Sequence, residues 1–126
     1  MTKRELLIRE LSRCKNEGLR VFINTSDKYG FNYGLITDGI NMISIDFAEY
    51  NSNGFTTSFE YVPSKNCGDG CRTLKKGYMY RKLTKEVFEE AVKEGKCLAR
   101  KYKATLYKNV DHFFIDEWHK KAYTEL

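Results

Sequence analysis

Residues 19–62 decide the fold and read LRVFINTSDKYGFNYGLITDGINMISIDFAEYNSNGFTTSFEYV. Apolar and polar residues alternate here with a period of two, which predicts β-strands in four short segments, at about 19–24, 31–37, 40–47 and 55–62. Asp38-Gly39 predicts the tightest turn, because a two-residue hairpin needs the positive φ angles that these residues tolerate. Such short connections force neighbouring strands to run antiparallel. The stretch therefore predicts a four-stranded antiparallel meander.

Helical patterns flank the meander on both sides. A capping-box sequence at Thr2 predicts a first helix that runs to about Glu17 and stops at Gly18. A second helix is expected from Thr84, with one apolar stripe, and a last helix is expected after Asp111 as its cap. A long loop at residues 63–82 precedes the second helix, and a short edge strand at 103–109 follows it.

These elements predict one α+β domain that covers residues 1–126. Its order is helix, four strands, loop, helix, edge strand and helix. Because the helices are amphipathic and the sheet has one apolar face, the N-terminal and C-terminal helices are expected to pack on that face.

The helical period also assigns side chains to the core. Cys14 lies on the apolar face of the first helix, and Tyr102 continues the apolar stripe of the second. The last helix is expected to bury four side chains and to leave Phe113 outside its core face. The four are Phe114, Ile115, Trp118 and Ala122.

The composition excludes several classes of protein. Hydrophobic residues make up 41% of the 126 residues and charged residues 31%, with a single proline. This balance is unlike that of collagenous or generically disordered chains. No apolar run approaches the roughly 18 residues of a membrane span, and the charged N-terminus does not resemble a secretory leader. We therefore expect a cytoplasmic protein with no membrane association.

Positive charge is concentrated in the middle of the chain. The net charge of +5 divides into −1 for residues 1–62 and +6 for residues 63–126, and residues 63–108 alone carry +8. Such clustering favours a polyanionic partner, either a nucleic acid or a nucleotide-like anion, more strongly than an overall basic pI does.

Two strings of basic and aromatic residues carry this charge, at 74–82 and at 100–108. Lysine and arginine contact phosphates, and exposed tyrosines offer flat faces on which unpaired bases stack. The predicted ligand-binding residues are Lys65, Arg72, Lys75, Lys76, Tyr78, Tyr80, Arg81, Lys82, Arg100, Lys103, Tyr107 and Lys108.

The loop at 63–82 contains the sequence NCGDGCR at residues 66–72. Gly68, Asp69 and Gly70 suit a backbone nest that holds an anion, although the pattern is not a P-loop, and a solvated glycine-rich turn explains it equally well. Cys67 and Cys71 raise the alternative of a zinc site. Their spacing lacks the second pair of ligands that a structural site needs, so the prediction is no metal and no cofactor.

The last helix and the second helix contain further candidate catalytic residues. His112, Asp116 and His119 would share one edge of a continuous last helix, where a carboxylate between imidazoles can orient a general base. Solvated side chains are the favoured interpretation, because no nucleophile or metal motif accompanies them. Cys97 lies opposite the apolar stripe of the second helix, which predicts a surface or interface position.

Three functions follow from these patterns. The favoured one is a small non-enzymatic protein that binds single-stranded nucleic acid or a nucleotide-like ligand through residues 63–108. The second is an inhibitor or accessory module, for example of a phage or mobile element, that masks an acidic surface on a larger nucleic-acid-processing protein. The third is a small enzyme or zinc protein that uses Cys67 and Cys71. Edge strands of the meander also make a homodimer reasonable.

Overall fold

A computed structural model describes residues 2–25, 33–51, 54–62, 78–80 and 82–126 of the chain. At 47–51, 54–60 and 78–80 this description is of the backbone alone.

The described residues form four helices and one six-stranded antiparallel sheet with the strand order β5-β4-β3-β2-β1-β6. The predicted α+β fold and its β1–β4 meander are confirmed. The helices are α1 (Lys3–Asn16), α2 (Lys85–Lys101), α3 (Val110–Phe113) and α4 (Glu117–Ala122). The strands are β1 (Arg20–Asn24), β2 (Tyr33–Thr37), β3 (Met42–Asn51), β4 (Gly54–Tyr61), β5 (Tyr78–Tyr80) and β6 (Tyr123–Glu125).

The edges of the sheet differ from the prediction. Residues 104–107 form no strand, and the short strands β5 and β6 occupy the two edges instead. β6 is held against β1 by Arg20, whose Nε and Nη2 each donate to a Glu125 carboxylate oxygen at 2.9 Å. Strands of three residues carry too little alternation to be recognised in a sequence.

The sheet buries both of its faces. Val21 and Ile23 of β1 pack with α1 and α2, whereas Phe22 between them packs on the opposite face with Val110 and Phe113. The segment that contains α3 therefore covers the face that the predicted one-sided packing left open. Burial of both faces is reflected in the sequence by consecutive apolar residues in the central strands. Strict alternation of apolar and polar residues is typical of sheets with one solvent-exposed face.

The last helix is interrupted, and the predicted burial holds only in part. Ala122 is 4% exposed and Phe114 is partly buried, as predicted. Phe113 is only 5% exposed, while Ile115 and Trp118 are 69% and 48% exposed. The cause is Asp116, whose carboxylate accepts a hydrogen bond from the Trp118 N–H at 2.9 Å and starts α4 as a new helix. Because the break changes the helical phase, the face expected from a continuous helix does not exist.

The β2–β3 connection is a four-residue turn rather than the predicted two-residue hairpin. Thr37 pairs with Met42, and the Asp38 carboxylate accepts hydrogen bonds from the backbone N–H groups of Ile40 at 2.9 Å and Asn41 at 2.7 Å. Gly39 has the positive φ of 102° that the turn requires. Its carbonyl accepts from the Val110 N–H at 2.9 Å, so the turn also anchors α3.

Asp38 makes this turn sensitive to acid. Partial burial acts to raise the pKa of its carboxyl group, but the hydrogen bonds from Asn41 and Ile40 outweigh burial and hold the pKa below its ordinary value. A carboxylate whose folded-state pKa is depressed contributes stability above the unfolded pKa of about 3.9 and loses it as the pH falls through the folded value.

We predict that Asp38→Ala lowers the free energy of unfolding by about 1–2 kcal/mol at pH 7, because several hydrogen bonds to a charged acceptor are lost. The difference in the free energy of unfolding between this variant and wild type becomes smaller below about pH 4, because Asp38 of the wild-type protein becomes protonated there. Urea denaturation across a pH series measures both effects. The matched control is Glu89→Ala, an exposed carboxylate on α2, which should stay within about 0.5 kcal/mol of wild type. A deficit that is constant from pH 7 to the acid limit would contradict the role assigned to Asp38.

The start of α2 is fixed against α1 by a buried carboxylate. Glu10 is fully buried, and its Oε1 accepts a hydrogen bond from the backbone N–H of Leu83 at 2.8 Å. Arg13 donates to the same oxygen, and Arg9 Nε donates to Oε2 at 3.1 Å. Glu17, the C-cap about two turns further along α1, adds a second contact by accepting a hydrogen bond from the backbone N–H of Lys85 at 2.9 Å.

Cys14 and Gly95 complete the packing around α2. Cys14 is buried, as predicted, and its thiol lies 3.6 Å from the Leu83 carbonyl oxygen. Burial is the main cause that raises the pKa of this thiol to about 12. Gly95 lets α2 approach β4 closely, because a Cβ at this position would overlap the side chain of Tyr61.

We predict that Glu10→Ala lowers the free energy of unfolding by about 3 kcal/mol, because it leaves a buried N–H and a half-buried guanidinium without their shared acceptor. Glu10→Gln should cost less, since its amide oxygen can still accept from Leu83. The control is Arg9→Ala, which removes a half-exposed partner and should cost no more than about 1 kcal/mol. Equal losses for Glu10→Ala and Arg9→Ala in urea denaturation would contradict this assignment.

Candidate anion-binding groove

The helix α2 positions the candidate site. Thr84 caps its start, as predicted, by accepting a hydrogen bond from the Val87 N–H at 3.2 Å. Phe88, Ala91 and Ala99 are buried along one side. The apolar stripe thus fixes the rotation of α2 and leaves its basic residues on the exposed side.

The C-terminal end of α2 has an unusual residue at a position that normally takes glycine. The Lys103 N–H bonds to the Arg100 carbonyl at 3.2 Å, and the Ala104 N–H bonds to the Ala99 carbonyl at 2.9 Å. These are the two hydrogen bonds of a Schellman motif. Lys103 occupies its left-handed position with φ of 52°, and it is the one non-glycine residue with positive φ in the described part of the chain.

The C-terminal end of α1 forms the same Schellman motif with glycine, the usual residue, in the left-handed position. There the N–H groups of Gly18 and Leu19 bond to the carbonyls of Lys15 and Cys14, at 3.0 and 3.2 Å. Gly18 takes the left-handed position with φ of 99°. The predicted stop at Gly18 is therefore confirmed, and the two helix ends differ in having glycine or lysine at the same structural position.

The left-handed turn at Lys103 closes one end of a surface groove of about 300 Å³. Three cations line it, Lys96, Arg100 and Lys103, together with the apolar side chains of Ala99, Ala104 and Leu106. We call these six residues the basic groove. Lys96 and Arg100 are spaced i and i+4, which places them on one side of α2, and Lys103 lines the same groove from the left-handed turn that follows the helix.

The charge of the basic groove depends on whether its three cations are paired. Among the residues that the structure describes, none of the three forms an ion pair. Like charges at i and i+4 destabilise a helix by a few tenths of a kcal/mol, although basic residues near a helix C-terminus recover part of this from the helix dipole. The groove therefore has a positive potential that suits an anionic ligand.

Cys97 is exposed beside the groove, in agreement with its predicted surface position. Arg100 Nη2 donates to its sulfur at 3.3 Å. Cys97 and Arg100 are about one turn apart on α2, so this contact holds the guanidinium close to the helix surface.

Two tyrosines near the groove differ from their expected surroundings. Tyr102 was expected in the core but is 53% exposed, because it ends α2 as the C-cap and lies where the chain turns away from the apolar stripe. Tyr107 is half-buried, and its ring meets that of Phe113 edge-to-face with centroids 5.6 Å apart. Tyr102 is thus an exposed tyrosine that precedes Lys103 of the groove in the chain, and Lys101 Nζ lies 5.5 Å from its ring centroid.

The structure places the predicted binding residues that it describes in three regions. Arg100, Lys103 and Lys108 lie at or after the end of α2, whereas Lys82 precedes its start. The 17 residues of α2 put about 25 Å between these ends. The backbone of Tyr78 and Tyr80 forms β5 on the β4 edge of the sheet. The remaining candidates lie outside the described residues: Lys65, Cys67, Gly68, Asp69, Gly70, Cys71, Arg72, Lys75, Lys76 and Arg81.

The His112, Asp116 and His119 arrangement does not form, because it requires a continuous helix. Asp116 is the N-cap of α4, and His112 lies on the separate helix α3. The His119 ring stacks on Phe113 with centroids 3.9 Å apart, and its Nδ1 lies 2.8 Å from the Phe113 carbonyl oxygen. His119 therefore contributes to packing on this face of the sheet.

Sequence reasoning missed Lys96 and assigned Tyr102 to the core. The signal for Lys96 was present in part, because the i and i+4 spacing that identifies an apolar stripe also aligns Lys96 with Arg100. Nothing in the sequence marked the left-handed position of Lys103, since glycine or asparagine is the usual indication of it.

Membrane-spanning helices and metal sites are two other features of interest. Within the described residues, no helix combines the length and apolar character needed to cross a bilayer. In the same residues, no three His, Cys, Asp or Glu side chains are grouped in a way that would hold a metal ion.

Comparisons of the chain with protein-family models, curated proteins and solved structures give no match. The groove is therefore interpreted from its own chemistry.

We predict that Lys103→Gly raises the free energy of unfolding by about 0.5–1 kcal/mol. The left-handed conformation costs a lysine about 1–2 kcal/mol, and the greater freedom of glycine in the unfolded chain offsets part of the gain. The matched change is Gly18→Lys at the end of α1, which should destabilise by a similar amount, since the space around Gly18 is open and only its φ opposes a side chain. Urea denaturation of both variants measures this, and a destabilised Lys103→Gly would contradict it.

Proposed function

We propose that the protein is a non-enzymatic binding protein for a polyanion, either single-stranded nucleic acid or a nucleotide-like ligand. The observation that carries the proposal is the basic groove, where three unpaired cations meet around apolar side chains at the end of α2. Phosphates are the biological anions that clustered Lys and Arg most commonly bind.

The surroundings of the groove support the same ligand class. Tyr102 adjoins Lys103 in the chain and exposes half of its side chain. Aromatic rings beside phosphate-binding cations are the usual components of surfaces that bind single strands without sequence preference. Lys108, also exposed, extends the positive surface beyond the groove.

The distance between the two basic regions favours a polymer over a free mononucleotide as the complete ligand. A single nucleotide in the groove is too small to reach Lys82, about 25 Å away along α2. A single strand of several nucleotides is long enough to contact both ends of the helix. The loop residues Lys65, Arg72, Lys75, Lys76 and Arg81 precede Lys82 in the chain and remain predicted contacts of that second region.

An acidic protein surface is the second candidate partner. Ile115 and Trp118 are exposed at the α3–α4 turn, and exposed tryptophan is enriched at the energetic centres of protein interfaces. An inhibitor or accessory module acting on a nucleic-acid-processing protein would use this patch in addition to the basic groove. Retention of a protein partner from nuclease-treated extract, and its loss with Trp118→Ala, would favour this function over direct nucleic-acid binding.

The proposed function is tested with a fluorescein-labelled single-stranded oligonucleotide in anisotropy titrations at 50 and 200 mM salt. Three phosphate contacts predict a loss of affinity of about 20-fold over this range. The triple variant Lys96→Ala, Arg100→Ala, Lys103→Ala should bind the oligonucleotide more weakly and with a shallower salt dependence.

The control variant carries Lys15→Ala, Lys120→Ala and Lys121→Ala, which removes three exposed cations from α1 and α4. Both variants lower the net charge from +5 to +2, so general attraction falls equally. Only the groove variant should lose the steep salt dependence. Equal effects of the two variants, or wild-type protein that does not bind at 50 mM salt, would overturn the proposal.

A further inference from the structure

The size of the basic groove limits what it holds. Its volume of about 300 Å³ lies at the lower end of the range of small-molecule sites. A single strand that ran through it would leave most of its length on the open surface. The groove therefore accommodates one small unit of a larger ligand.

The charge of the groove distinguishes between two forms of phosphate. An internal phosphodiester carries one negative charge, whereas a phosphate monoester carries about 1.5 to 2 near pH 7 and has three terminal oxygens. Lys96, Arg100 and Lys103 present three positive charges around one cavity, and the partial negative charge at the end of α2 offsets only about half a charge. Three cations around one unit match the monoester better than the diester.

The apolar part of the groove indicates what accompanies the phosphate. Ala99, Ala104 and Leu106 line it together with the cations, and Leu106 exposes half of its side chain. Inorganic phosphate would leave these side chains unused. A sugar and base attached to the phosphate would cover them, in the combination of apolar wall and few polar groups that small-molecule sites share.

We propose that the basic groove binds the phosphorylated end of a nucleic-acid strand, with one terminal nucleotide in the groove and its phosphate monoester among Lys96, Arg100 and Lys103. This inference rests on the proposed function and specifies the ligand of the same site. Lys103 lines the groove from a left-handed backbone position, where glycine would be the more favourable residue for the turn.

The experiment compares three fluorescein-labelled oligonucleotides of one sequence, with a 5′-phosphate, a 3′-phosphate or hydroxyl groups at both ends. The label is attached to an internal base, so both ends stay free. We expect a terminal phosphate, at one of the two ends, to increase the affinity of the wild-type protein about tenfold at 150 mM salt. The end that gives the increase identifies the polarity of the strand in the groove.

Lys103→Gly is the most informative variant, because it is expected to be more stable than wild type. Loss of the preference for the phosphorylated end in this variant therefore does not reflect unfolding. The control with Lys15→Ala, Lys120→Ala and Lys121→Ala should bind every oligonucleotide more weakly but keep the tenfold preference. Retention of the full preference by Lys103→Gly would overturn the role of Lys103 in binding the phosphate.

Competition distinguishes a nucleotide from phosphate alone. A mononucleotide should displace the phosphorylated oligonucleotide at a lower concentration than inorganic phosphate does. Equal competition by the two would overturn the placement of a nucleotide in the groove. Equal affinity for phosphorylated and hydroxyl-ended oligonucleotides would overturn this inference and leave polyanion binding intact, whereas failure to bind any oligonucleotide at 50 mM salt would overturn the proposed function itself.

Discussion

The fully buried carboxylate of Glu10 is the interaction on which the second half of the structure depends. It accepts a hydrogen bond from the backbone of Leu83, the residue before the cap of α2, and two arginines of α1 satisfy its charge. Leaving a buried carboxylate unpaired costs several kcal/mol, so Glu10 fixes the Leu83 N–H and Arg13, whereas the half-exposed Arg9 contributes less. The start of α2 is thereby tied to α1, although 73 residues separate Glu10 from Leu83. This contact fixes the start of α2, and the basic groove lies at the other end of that helix, about 25 Å away.

The sequence predicted those parts of the fold that local patterns determine. The period of two located the β1–β4 meander, and Thr2, Gly18 and Thr84 marked helix ends that the structure confirms. Several of the parts that it predicted incorrectly depend on contacts between distant residues. Asp38 organises a longer turn partly because Gly39 also accepts a hydrogen bond from Val110, which no local pattern reveals. Phe113 is buried because the opposite face of the sheet is apolar as well.

The candidate site was predictable only in part, for a similar reason. Charge clustering identified the region, since the field of a basic segment does not depend on the details of folding. It did not show which cations come together. The length of α2 separates Lys82 from Arg100, although both belong to the same basic segment of the sequence.

Placement of β5 and β6 at the sheet edges also depends on tertiary contacts. Because these strands are short and Glu125 of β6 is paired with Arg20, they offer little edge to a second copy, and a homodimer stays a prediction.

The C-terminal ends of α1 and α2 differ in how well their residues suit the left-handed position, and the residue at the end of α2 is not the most stable choice. Gly18 and Lys103 occupy the same position in the same hydrogen-bonding motif, so packing at the helix ends does not by itself require a lysine. Lysine at that position adds backbone strain, which opposes folding, and a third positive charge near Lys96 and Arg100, whose cost the helix dipole offsets in part. We infer that a residue which strains the backbone here meets a requirement other than stability. Under the proposed function that requirement is the attraction of an anion, because lysine in place of glycine adds a positive charge to the basic groove.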